Sequence, residues 1–99
     1  MITKIKVSNM TSNNGNKIAN QFEIRTNKGV YFQSYNSIIA FVPYADKPTL
    51  LDSYYWDYSR TTGKYRNAFL GESIAETRQK IADKVYKLKD LQLKRSRYI

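Results

Sequence analysis

The stretch NQFEIRTNKGVYFQSY, residues 20–35, constrains the fold more than any other part of the chain. Phe22 and Ile24 alternate with Gln21, Glu23 and Arg25, the period-two pattern of a half-buried strand. Asn27-Lys28-Gly29 supplies a short turn whose glycine can take a positive φ, and VYFQSY follows as the return strand. The segment therefore reads as a β-hairpin. Within the return strand Tyr31 and Tyr35 lie opposite Phe32, so Phe32 is expected in the core and the tyrosines outside.

Around this hairpin the other elements are read from local signals. ITKIKV alternates and suggests a first strand, whereas residues 8–17, rich in Ser, Asn and Gly, read as a loop. Residues 38–42, IIAFV, form an apolar run suited to a strand buried on both faces near the middle of a sheet, ended by Pro43. LLDSYYWDY suggests a short strand around 54–58. Gly71 follows NAFL as a glycine does at the end of a short helix. Ser73 and Glu76 form the S-x-x-E capping box, so a helix begins at residue 74, with Ile74, the Arg78 stem, Ile81 and Val85 on one face. Its end has two readings: continuation to about residue 93, or a stop near Lys84 followed by an edge strand. We take the first. The expected fold is α+β, a small antiparallel sheet of about four strands with a C-terminal α-helix packed on one face. Ninety-nine residues suit one domain, placed at 1–93, with a basic tail at 94–99.

Several chemistries are hard to build from this composition. Cysteine and histidine are both absent, which removes disulfides, the usual zinc ligands, the thiolate nucleophile and the side chain that titrates nearest neutrality. TTGKYR superficially matches the end of a phosphate-binding loop. Tyr58, however, stands where the first glycine is required, and Tyr65 replaces the Ser or Thr after lysine. Asp52 and Asp57 are close enough in sequence to suggest a Mg²⁺ pair, but the eight carboxylates are scattered and read as surface acids and caps. The expectation is a protein without enzymatic activity, cofactor or metal.

Charge points instead to binding. The net charge is +9, and residues 78–99 carry eight Lys or Arg against Asp83 and Asp90. Such a field attracts phosphate backbones or acidic protein surfaces. Nine tyrosines exceed what a core of this size can pack with every hydroxyl satisfied. Trp56 and Phe69 are assigned to the core, whereas Tyr31, Tyr35, Tyr58 and Tyr65, beside Arg60, Lys64 and Arg66, are assigned to a binding surface. Lys87, Lys89, Lys94, Arg95 and Arg97 would contact a nucleic-acid backbone. Rings interleaved with cations suit single-stranded nucleic acid, and equally a protein–protein hot spot. No run approaches the roughly 18 apolar residues of a spanning helix, and MITKIKVSNM lacks the apolar core of a secretory signal. The chain is expected to be soluble, to use no membrane or small-molecule substrate, and to stay where it is made.

The segments NQF with YFQSY, and WDYS with TTGKYRNAFLG, resemble a family of small, functionally uncharacterised proteins of bacteriophages and other mobile elements, over roughly residues 11–81. The resemblance implies an accessory protein acting in the cytoplasm of a bacterial host. Such proteins commonly bind nucleic acid or block a host enzyme, CRISPR nucleases included. Family members tend to end soon after the helix, and here a basic extension, ADKVYKLKDLQLKRSRYI, departs from that pattern.

Overall fold

A computed structural model describes residues 5–92. It has six strands and two helices: β1 (Lys6–Thr11), β2 (Lys17–Arg25), β3 (Gly29–Ser34), β4 (Ser37–Pro43), β5 (Leu50–Asp52), α1 (Arg60–Leu70), α2 (Ile74–Ala82) and β6 (Lys87–Lys89). The strands form one sheet in chain order, antiparallel from β1 to β5, with β6 added parallel to β5. The α+β class stands, with a larger, mixed sheet and a second helix. The tail at 94–99 lies outside the described residues. No helix among the described residues is long and apolar enough to cross a membrane.

The β2–β3 hairpin forms as its alternation requires, with Gln21 opposite Ser34 and Ile24 opposite Tyr31. Its turn differs in one respect. Gly29 does not take a positive φ; among the glycines, Gly15 and Gly71 do. A Cβ at Gly29 would meet the Val42 carbonyl oxygen at 2.4 Å and the Phe41 ring at 2.7 Å. Glycine is needed there for close approach, not for turn geometry.

β1 runs through residues 8–11, which the Ser- and Asn-rich composition had suggested as loop, because Ser8 and Asn9 pair with Glu23 and Phe22. The strand expected at 54–58 is absent. β5 lies earlier, at Leu50–Asp52, and the next five residues turn, since Asp52 Oδ2 accepts from the Tyr54 and Tyr55 amides at 3.1 and 2.8 Å. Ser59 caps α1, accepting from the Thr62 amide at 3.1 Å, and Gly71 ends it in the left-handed conformation at φ 70°. The capping box of α2 is complete.

The expected continuation of α2 fails. The helix ends at Ala82, because Lys84 turns left-handed at φ 61°; the Lys84 amide then donates to Ile81 and the Val85 amide to Lys80. This is the Schellman arrangement with lysine where glycine usually sits. The chain released by this stop becomes edge strand β6. Arg78 accordingly projects outward, Val85 is exposed beyond the helix, and Thr77 takes the buried position. Lys84→Gly removes a left-handed cost of about 1–2 kcal/mol and a helix-end charge attraction of about 0.3–1 kcal/mol. The expected net gain, about 0.5–1 kcal/mol, would appear as a higher urea midpoint with unchanged m.

The helices cover one face of the sheet. Phe32, Ile39, Ala40 and Leu51 form the buried centre, and Phe69 stacks on Phe32 at 5.5 Å between ring centroids. Ser34 and Thr62 hydroxyls meet at 3.1 Å and hold α1 over β3. As expected, Trp56 and Phe69 pack against this core; Tyr55, Tyr65 and Tyr86 do too.

Candidate functional site

Because the helices lie on one side, the other side of the sheet is a surface built directly by strand register. Val7, Ile24, Tyr31, Phe41 and Leu50 are successive cross-strand partners, and the row ends on Lys87. Phe22 lies on the same side, two residues from Ile24, and Lys89 two residues from Lys87. Alternation in β2 thus runs opposite to its simplest reading: Phe22 and Ile24 face away from the helices. The polar set faces the helix layer, where Gln21 is buried and Arg25 pairs with Glu23 at 2.9 Å. Asp52 also has the parity of Leu50, but it is 1% exposed and its oxygens are held by backbone amides. The helix-free face therefore offers aromatic and aliphatic side chains beside lysines, without an accessible carboxylate among the described strand positions.

One end of this face is hollow. A cavity of about 770 Å³ is lined by Tyr31, Phe41, Pro43 and Tyr44, with Ile5, Thr26, Asn27 and Ala45 around them and Lys28 and Lys47 also in the lining. The Tyr31 and Phe41 rings lie 4.4 Å apart and tilted by 35°. Phe41 also lies against Gly29, where a side chain would displace it. The concavity, the paired rings and the two ammonium groups can accept a flat, anionic partner.

The remaining residues singled out from sequence are dispersed. Tyr35 is exposed at the β3–β4 turn, with φ 55°. Tyr58 is exposed in a second aromatic group, its ring 6.3 Å from Tyr54 and 5.2 Å from Tyr55. Arg60 and Lys64 are exposed on α1, whereas Tyr65 packs on the core with Lys64 Nζ 5.3 Å from its ring. Arg66 corrects the sequence expectation. It is 1% exposed and donates to the Trp56 carbonyl at 2.8 Å, Asp57 at 3.0 Å and Asn67 at 3.0 Å, so it is a structural clamp. Asp57 also takes Arg78 at 3.4 Å. Lys94, Arg95 and Arg97 lie outside the described residues.

A model of a family of unknown function, DUF8033, matches residues 5–84. The chain belongs to that family. No curated protein and no solved structure matches it. The DUF8033 match spans β1 to α2 and therefore includes the aromatic row and the hollow, whereas β6 with Lys87 and Lys89 lies beyond it.

The residues of this DUF8033 chain that sequence reasoning missed are Phe41, Tyr44, Lys28 and Lys47. Phe41 sits in an apolar run that reads as buried, and the lysines sit in loops whose composition carries no signal. Their common feature is the register that brings residues 26–31 and 41–47 to one end of one face.

A polar cluster closes the other layer. Burial pushes the Glu72 carboxyl up, but hydrogen bonds from Lys80, Thr77 and Tyr86 and the Lys80 charge outweigh it, holding it below the ordinary carboxylate value. The Glu72 hydrogen bond raises Lys80, and burial followed by the Glu72 bond raises Tyr86. A depressed carboxylate contributes stability above its unfolded value and loses it as pH falls through the folded one; the raised Lys80 and Tyr86 lose theirs as pH rises above about 10. Melts of wild type and Glu72→Gln at about pH 7 and about pH 2.5 check the acid limb. The variant is expected to be the less stable at neutrality, and the gap to close in acid.

Proposed function

We propose that this chain is a non-enzymatic accessory protein of bacteriophage or mobile-element type that binds nucleic acid, or a nucleoprotein complex, through the helix-free face of its sheet. One observation carries the reading: an apolar row with the Tyr31 and Phe41 rings at its centre, flanked by Lys28, Lys47, Lys87 and Lys89, with no accessible carboxylate at the described strand positions of that face and Asp46 exposed in the loop beside it. Rings offer stacking surfaces to bases while lysines neutralise phosphates. The phage setting and the host cytoplasm as its location come from the sequence resemblance. The net charge of +9 supplies long-range attraction to either partner.

The test is salt dependence. Each neutralised phosphate releases counterions, so log affinity for a fluorescent single strand should fall linearly with log salt, with slope about −0.7 per contact. Lys87→Glu with Lys89→Glu should weaken binding and flatten that slope. A slope near zero, or no binding at low salt, counts against the reading.

A second reading rests on the other aromatic group. Tyr54 and Tyr58 are exposed, as is Arg60 two residues on, and tyrosine and arginine are the side-chain types enriched at interface hot spots. On that reading the chain is a counter-defence inhibitor, of anti-CRISPR type, that blocks a host nuclease by direct contact. A pull-down from host lysate with and without nuclease treatment separates the two: nucleic-acid-mediated capture is lost on digestion and direct capture is kept.

A further inference from the structure

We infer that the hollow at the hairpin end of the helix-free face seats one unpaired base of a single-stranded nucleic acid, with Lys28 and Lys47 holding the adjacent phosphates. This rests on the nucleic-acid reading and adds to it the strand state and the location. The hollow, at about 770 Å³ and half open to solvent, has room to receive a flat group from one side. Its floor is a pre-set ring pair: Phe41 is pinned against Gly29 at one side and Tyr31 at the other. Tyr44, 62% exposed, stands at its margin, and its ring lacks a covering partner among the described ring contacts. Aromatic walls and two ammonium groups match the two surfaces of a nucleotide, a flat π-face and an anionic phosphate.

A duplex does not suit this shape, since its bases are already stacked inside and only its phosphates would reach the lysines. Two other occupants are disfavoured by charge. A second copy of the face would bring Lys28 and Lys47 against cations of the same sign, and residues 93–99 of the chain itself carry Lys94, Arg95 and Arg97. An anionic partner with exposed flat groups matches both the ring floor and the two lysines, against which the exposed Asp46 of the same loop sets one opposing charge.

Anisotropy titrations of the full chain with three probes test this: a single strand of about 12 nucleotides, the same length carrying abasic sugars throughout, and the corresponding duplex. The base-bearing strand should bind about ten-fold or more tighter than the abasic one. Tyr44→Ala, at an exposed position that leaves the core intact, should erase most of that difference without changing abasic binding. Lys28→Gln with Lys47→Gln should weaken both strands alike. Equal affinity for the abasic and base-bearing strands, or a duplex bound as tightly as the single strand, overturns the seat but leaves the nucleic-acid reading standing. Binding that keeps its base dependence in Tyr44→Ala and Phe41→Leu also overturns it, by placing the base elsewhere. Failure of all three probes to bind at low salt overturns both.

Discussion

Arg66→Ala should lower stability by about 3–4 kcal/mol, a large part of what a domain of this size possesses. The guanidinium is buried and makes charge-assisted hydrogen bonds to the Trp56 carbonyl, to Asp57 and to Asn67. It also lies 5.3 Å from the centre of the Trp56 ring. Truncation leaves a cavity between α1 and the turn that follows β5, and unpairs a carbonyl beside it. Asp57, being half-exposed, can return to water, and the Arg66 Nε has no hydrogen-bond partner among the described residues, so the loss sits toward the lower end of that for a buried ion pair. In a thermal melt the fall should be about 12–32 °C at 4–8 °C per kcal/mol. Arg66→Lys should recover only part of it, since a single ammonium cannot serve three acceptors spread around a planar fork. A surface role would predict the opposite, an unchanged melt with weakened binding.

Asp52→Asn should cost about 2–3 kcal/mol although it changes one atom. Asp52 Oδ2 accepts from the Tyr54 and Tyr55 amides and Oδ1 from the Leu91 amide at 2.8 Å. A carboxylate can accept at both oxygens, whereas a carboxamide must turn its NH₂ group toward one set of donors. Whichever way it turns, at least one backbone amide loses its partner at a buried site. Hydrogen exchange distinguishes the two rotamers: protection falls at Leu91 in one and at Tyr54 and Tyr55 in the other. The same residue had suggested half of a metal pair. Its oxygens are occupied by the chain itself, and it ties β5 to the turn after it and to the segment after β6.

The parts of the fold legible in advance share a physical origin. The β2–β3 hairpin, the capping box at Ser73 and Glu76, and the terminating Gly71 all depend on groups within a few residues of one another. The misread parts depend on distant partners. β6 exists because Lys84 adopts a left-handed φ and because β5 offers an open edge. β5 lies at 50–52 because Asp52 finds three amides, one of them 39 residues away. Of the candidate site, Tyr31, expected on the face opposite Phe32, lies on the helix-free side, whereas Lys87 and Lys89, expected on a continued helix, lie on an edge strand. Arg66 was misplaced because an arginine amid tyrosines reads alike whether it clamps a loop or contacts a partner.

By itself the sequence determined the class of the fold, the surplus of cations, and the lack of cysteine and histidine chemistry, since these follow from composition and from interactions within a turn or two. Only the tertiary structure decided which side of β2 the helices would cover. Alternation makes the two faces of a strand different, but it is silent about where a helix some forty residues later will land. That choice buried Gln21, turned Phe22 and Ile24 outward, and set Tyr31 and Phe41 side by side on the open face.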